Sequence, residues 1–482
     1  WEHHTRSVHE SRIAMAGAVH LMGLRMATAA GAHVSTYRGA WRRCLWHLTR
    51  PLKPAAFPAI FFSLDVASWT RRLDAARLVR DVYSNSAVPP EAQKAFGLFA
   101  EDLKDAPLSF WARCITAWAV QTHVHSHEVL QRDLERHAVD ASELRPPIFI
   151  VGLPRTGTTL LHHLLALDPE SQCLRAYELM RCTRSIDGWL PQRWVDWLDW
   201  AKLALLMRFS EVMFPQWPHH HQLDANSPEE CLFALQRSMP LDTHYRAHSR
   251  LLERYVSEEE IPLAAYQRYR LYLQQVQLRR GSEEKRFVLK GQLIHLQYLT
   301  QLRSVFPEAY VVWSHRPAEE VVGSLCSLRK SQQEVFLDEH PNKQEVGAGV
   351  LKYLSDALDR AGEALEQKVT KESIAERLVH VEYESLVADP VRVVEQIYES
   401  FGWQMSLEHR QAMEEYLLMS LAERSRALPG KERYHDASLS SYGLSGHLVR
   451  EFLGRTLHTE RFSELSRSFG NRGVMRHGQL FV

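Results

Sequence analysis

PPIFIVGLPRTGTTLLHHLLALDP, residues 146–169, reads as a strand, a tight loop and a helix in immediate succession. Pro146 and Pro147 break any preceding helix, and Ile148 to Val151 form a short unbroken apolar run that ends at Gly152. The loop runs from Leu153 to Gly157, and a helix opens at Thr158 and stops before Pro169. Backbone N–H groups at a helix N-terminus are unpaired and aligned with the positive end of its dipole. A loop folded back onto that end therefore cradles an anion such as a phosphate. Gly157 permits the close backbone approach this needs. Gly152 to Gly157 also has the spacing of a triphosphatase phosphate loop, but the next residue is Thr158. That class has a lysine there to reach the β and γ phosphates, so a P-loop kinase or NTPase is disfavoured. Arg155 supplies the cation of this loop instead.

The grammar on the two sides of this stretch differs. Residues 11–140 carry helical periodicity, with a long helix expected over 110–139 from Trp111, Ile115, Trp118 and Ala119. Beyond it, apolar runs at 286–290, 309–315 and 378–383 are each followed by a helical segment. Strands buried on both faces read as such runs, so the expected fold is α/β: a P-loop-like parallel sheet flanked by helices, with an N-terminal all-helical extension. The expected division is a helical region over 1–140 and an α/β unit over 141–482. Ligands of such sheets sit at the carboxyl ends of the strands. A further helix is signposted by Asp389 as N-cap, Pro390 at its first position, a stripe of Val394, Ile397, Tyr398 and Phe401, and Gly402 closing it.

Of the 482 residues 45% are hydrophobic and 24% charged, which excludes disordered and fibrous classes. Lys plus Arg and Asp plus Glu both number 58, so no overall field draws the chain to nucleic acid, and any anion must be held locally. The six cysteines form no CxxC pair and no N-x-S/T sequon occurs, which favours free thiols and the cytoplasm. No apolar stretch reaches the roughly 18 residues of a membrane span. The first residue is Trp1 rather than Met, which leaves room for an upstream targeting segment.

Pro154, Arg155, Thr156, Gly157, Thr158 and Thr159 resemble, position for position, the P-[RK]-[ST]-G-T-T loop of sulfotransferases that use 3′-phosphoadenosine 5′-phosphosulfate (PAPS). Three further blocks, in family order, extend the likeness over about residues 125–460. In FPEAYVVWSHRPAEEVVGSLCSL, residues 306–328, the resemblance implies that Arg316 and Ser324 hold the 3′-phosphate. Pro317 and Ala318 replace the Asp-Pro of the family pattern. In HVEYESLVADP, residues 380–390, it implies that Tyr383 lies by the adenine. GKERYHDASLSSYGL, residues 430–444, is similar to a C-terminal segment of the bacterial-type branch and makes Lys431 and Arg433 candidate cofactor contacts.

The implied activity is transfer of a sulfuryl group from PAPS to a hydroxyl of a small-molecule or lipid acceptor, releasing 3′-phosphoadenosine 5′-phosphate (PAP), with no metal. A non-catalytic PAP-binding homologue is the other alternative to a kinase. Arg155 with the amides of Gly157 to Thr159 would neutralise the 5′-phosphate, and Lys290, ending its strand on the ligand side, would reach the bridging region. The family pattern after that lysine is lost here, so His295 reads as a core or capping histidine more readily than as a base. Related sulfotransferases carry a W-E or similar glutamate about twenty residues past the loop, so the resemblance makes Glu178, after Tyr177, the preferred base. His221, in a segment resembling a family H-x(n)-P-E-E stretch, is the next, with Glu229 and Glu230 as orienters. His219 to His221 diverge as neighbours, and His123 with His127 lack a third ligand, so neither group reads as a metal site. Five of thirteen tryptophans fall between 189 and 217, on a helix apolar nearly all round. Such a helix reads first as internal packing, then as the wall of an apolar acceptor pocket or a peripheral membrane contact. The leader before residue 125 leaves room for an acceptor pocket or a homo-oligomer contact.

Overall fold

The computed structural model describes residues 75–180, 184–187, 192–213, 224–240, 260–337, 340–366, 377–425, 437–454 and 474–476. Among the described residues three helices come first: α1 (Ala75–Tyr83), α2 (Pro90–Asp105) and α3 (Phe110–Arg136). Strand β1 (Ile148–Gly152), α4 (Thr158–Ala166), β2 (Ser171–Gln172) and α5 (Ala176–Leu179) follow. Then come α6 (Gln192–Met213), α7 (Leu232–Leu235) and α8 (Glu260–Arg280). The chain continues through β3 (Arg286–Gly291), α9 (Gln292–Gln297), α10 (Leu299–Val305), β4 (Tyr310–His315), α11 (Ala318–Phe336) and α12 (Lys343–Glu366). It closes with β5 (Leu378–Glu382), α13 (Tyr383–Ala388), α14 (Pro390–Ser400), α15 (Leu407–Ser425), a short 3₁₀ turn, α16 (Gly446–Gly454) and β6 (Val474–Arg476).

The sheet order is β2-β3-β1-β4-β5-β6. The first five strands are parallel, and β6 joins antiparallel at the edge. After β1 the chain leaves toward β2 and β3, whereas after β4 it leaves toward β5. The carboxyl ends of β1 and β4 therefore bound the crevice where strand order reverses, the place where such sheets hold ligands. Here Gly152 pairs with Ser314.

The period of two along each strand sorts the core into two faces. Phe149, Val151, Leu289, Val311 and Trp313 pack toward one cluster, and Ile148, Ile150, Val288, Val312 and Val379 toward the other. Helices α4 and α14 cover the second face through Leu161, Leu164, Leu165, Val394 and Ile397. The first cluster also contains Val79, Phe96 and Val120, so helices before residue 141 share a core with the sheet. Ser109 anchors this junction: its hydroxyl donates to the Val335 carbonyl at 2.8 Å and caps α3 by accepting from Ala112. On α14, Asp389 caps as its sequence implies, accepting from the Arg392 amide at 3.0 Å.

Helix α6 departs from the internal packing first read for it. Leu203 points inward, while Trp194 and Trp197 are about half exposed (53% and 54%). The cause is a charge on the inner side: Asp199 is buried and takes two hydrogen bonds from Arg184 at 2.8 and 2.6 Å. No described helix is long and apolar enough to cross a membrane. The described cysteines, Cys173, Cys231 and Cys326, are free thiols.

Candidate active site

The loop between β1 and α4 is held by its own short polar side chains. Thr156 is fully buried and its hydroxyl donates to the Leu153 carbonyl at 2.7 Å, which closes the turn. From the neighbouring strand, the Ser314 hydroxyl donates to the Thr156 carbonyl. A Cβ on Gly152 would lie 2.6 Å from the Ser314 carbonyl oxygen, so only glycine lets β1 and β4 end this close together. Gly157 stands before the first turn of α4 at φ 82°, and a Cβ there would meet Leu386 at 2.9 Å and Tyr383 at 3.0 Å. Arg155 also adopts a left-handed conformation, φ 71°, which is uncommon for a residue with a side chain and concentrates at functional loops.

The second block meets the first here. The Nε of Arg155 donates to the hydroxyl of Ser324 at 3.1 Å, two turns into α11. Nη1 of Arg316, just past β4, donates to the backbone carbonyl of Arg155 at 2.9 Å. Its Nε and Nη2 bind Glu320 at 2.9 and 2.6 Å, and the guanidinium lies 4.3 Å from the centre of the Tyr383 ring. Arg155, Gly157, Arg316, Ser324 and Tyr383 thus form one connected surface at the β1/β4 crevice. Burial and then the charge of Arg316 push the Arg155 pKa down, with Tyr383 opposing. An anion arriving between the two guanidiniums would relieve that crowding, so these residues fit a phosphate-bearing ligand.

Lys290 lies one strand over, near the end of β3, and is 1% exposed. Its ammonium donates to Thr159 Oγ1 at 3.2 Å and stands 3.2 Å from Glu230 Oε1. Burial opposes the charge, but Glu230 and Glu229 outweigh it and raise the pKa above the ordinary lysine value. Gln292 donates to the same Glu230 oxygen at 2.8 Å from a backbone at φ 43°. The Cys231 amide donates to the Lys290 carbonyl at 2.7 Å, which ties the Pro228-Glu229-Glu230 segment to the strand end. The expected pairing of Glu229 and Glu230 with His221 falls partly outside the described residues. Gln292, directly after Lys290-Gly291, was the missed signal for the lysine's surroundings.

Glu178 has a different environment from that of a free base. Its carboxylate accepts from Arg280 Nη2 at 2.7 and 2.6 Å, from Arg279 at 3.3 Å and from the Arg175 amide at 2.9 Å. Burial raises its pKa, but Arg280 and then Arg279 outweigh burial and hold it below the ordinary carboxylate range. A carboxylate so enclosed is a poor proton acceptor, and its evident work is to fix α5 against α8. His295 is fully buried against Tyr266, whose hydroxyl lies 2.8 Å from Nδ1, and burial pushes its pKa down to about 3. His127 donates from Nε2 to the Arg237 carbonyl at 2.9 Å, and His123 lies 3.2 Å from the Tyr83 hydroxyl. Among the described residues no cluster suited to a metal ion occurs. His221, Lys431 and Arg433 lie outside the described residues.

A glycine-bounded loop at the reversal point of a parallel sheet is a build shared by many α/β nucleotide-binding proteins. Comparison with known proteins narrows this. The model of the sulfotransferase family matches residues 146–406, more than half of the chain, and the chain belongs to that family. Sulfotransferase STF1 from Mycobacterium tuberculosis H37Rv is similar with a TM-score of 0.63 and 25% identity, over 80% of this chain and 100% of that one. Sulfotransferase STF9 from Mycobacterium avium has a TM-score of 0.61 and 22% identity, over 80% of this chain and 95% of its own, which speaks to the fold. No curated protein matches the chain.

Proposed function

We propose that this sulfotransferase takes its sulfuryl group from PAPS and delivers it to a hydroxyl of a small-molecule or lipid acceptor that is apolar in part. The observation that carries the donor reading is the contact of Arg155 with Ser324 and of Arg316 with the Arg155 carbonyl and the Tyr383 ring. These residues offer cations and hydroxyls for two separate phosphates and an aromatic face for a base. When bound, PAPS supplies an SO₃ group on a phosphate leaving group. Arg155 and the first amides of α4 neutralise the 5′-phosphate, while Arg316 and Ser324 hold the 3′-phosphate and Tyr383 the adenine. Thr156 sets the shape of the loop from inside, and Thr158 and Thr159 add hydroxyls at the helix start. Lys290 carries a proton at ordinary pH and stabilises charge on the leaving oxygen. The acceptor oxygen bonds to sulfur as the bond from sulfur to the phosphate oxygen breaks, and the acceptor proton passes to a base. We assign that base to Glu230, beside Lys290, in place of Glu178; His221 is the alternative.

Lys431 and Arg433 keep their place in this proposal as contacts to the donor. Calorimetric titration with PAP and with ADP tests the reading: tighter binding of PAP supports it, and a preference for ADP returns the chain to the kinase class. Turnover of PAPS with an acceptor mixture separates an enzyme from a homologue that only binds PAP.

A further inference from the structure

Helix α6 carries a feature that the donor crevice does not use. At 100° per residue, Trp194, Trp197, Leu198, Lys202, Leu205 and Arg208 fall within about 140° of arc. All six are exposed, and Leu205 is the most open of the apolar ones at 67%. Trp194 and Trp197 touch edge to face with their centroids 6.5 Å apart, which makes one aromatic ridge. The opposite arc holds Leu203, packed with Ala176 and Ala225, and Asp199, paired with Arg184. Asp196 also lies on that arc, near enough for its charge to raise the Tyr177 pKa. The helix therefore sorts its described charges by sign: carboxylates inward, Lys202 and Arg208 outward among tryptophans and leucines.

That arrangement fits one kind of partner. A helix of 22 residues, about 33 Å long, with an indole ridge and flanking cations lies in the plane of a membrane interface. Indole rings settle at headgroup depth, and lysine and arginine meet anionic headgroups there. We infer that the outer face of α6 docks this protein on an anionic lipid surface. The face is independent of the donor assignment, since none of its six residues belongs to the crevice between β1 and β4. Its inner side packs against Tyr177 and Met180 around α5, so docking would orient the body of the protein at the bilayer.

The test uses the full chain and sucrose-loaded vesicles, of phosphatidylcholine alone and of phosphatidylcholine with phosphatidylglycerol in equal parts. The chain should sediment with the anionic vesicles and about tenfold less with the neutral ones, and added salt should release it. A Trp194→Ser, Trp197→Ser, Leu205→Ser variant should lose about tenfold or more in partitioning at an unchanged melting temperature. Lys202→Glu with Arg208→Glu should erase the preference for anionic vesicles, and it carries the test should the first variant fold poorly. Wild-type chain left in the supernatant with both vesicles overturns the inference, as does equal sedimentation of both variants. A dimer that the serine variant converts to monomer, without vesicle binding by the wild type, makes the face a contact between copies and overturns it as well.

Discussion

Two pairs of arginines in this protein are built oppositely. Arg279 and Arg280 close on Glu178, which is 3% exposed, so their charge is answered inside the protein. Arg155 and Arg316 stand together with a serine hydroxyl and a backbone carbonyl between them. The carboxylate near that pair, Glu320, is 53% exposed on the outer side of Arg316. The first pair is a structural weld. The second keeps its two charges close together, and burial and then the charge of Arg316 lower the Arg155 pKa. The carboxylates differ as well: Glu178 is locked by two guanidiniums, whereas Glu230 meets Lys290 and Gln292 on a single oxygen.

The sharpest way to separate the two pairs is to remove the arginines of one and the carboxylate that answers the other. Arg155→Ala should abolish measurable turnover while leaving the melting temperature within a few degrees of wild type. Turnover near the wild-type level would show that the loop cation is not part of the chemistry. Glu230→Gln should lower turnover by about 10² to 10⁴ at saturating donor, the range for a positioned base. If it does not and His221→Ala does, the proton goes to the histidine.

Glu178→Gln should act on stability instead, by about 3–5 kcal/mol, because it leaves two guanidiniums facing a neutral amide in a buried site. Denaturant unfolding and turnover per folded molecule measure this together. The pH dependence has a definite sign. Because the folded carboxyl titrates below its unfolded value of about 4.3, its contribution is fully present above that pH and fades as pH falls through the depressed folded value. The glutamine variant should therefore lose part of the wild-type acid sensitivity below about pH 4.3. Loss of turnover without loss of stability would restore Glu178 as a base.

Arg316→Ala has the smallest expected effect. It should reduce the preference for PAP over adenosine 5′-phosphate by about tenfold to a hundredfold, the worth of a charge-assisted hydrogen bond. An unchanged preference would place the 3′-phosphate elsewhere.

The central strands and the loop were legible because their signals are local: apolar runs, two prolines before β1, and a glycine at each end of the turn. Strand β2 was not, since two residues carry no period. Edge strand β6 pairs with β5 from nearly a hundred residues away, and nothing in its own three residues announces it. The environment of Glu178 was hidden for a similar reason, because its arginines stand 101 and 102 positions further on. The orientation of α6 was obscured because a helix rich in tryptophan reads as interior until Asp199 is seen to face inward toward Arg184. Convergence of Arg155, Arg316, Ser324 and Tyr383 could be stated from the resemblance alone, but the hydrogen bonds that couple them could not.

The bond from the Arg316 side chain to the Arg155 main chain has one more consequence. It ties the loop after β1 to the residue that follows β4, as the Ser314 hydroxyl and the close tips of the two strands also do. On the donor reading above, selection rests on the span between the ligand's two charges, and a nucleotide whose phosphates are spaced differently would be turned away even if each end alone were acceptable.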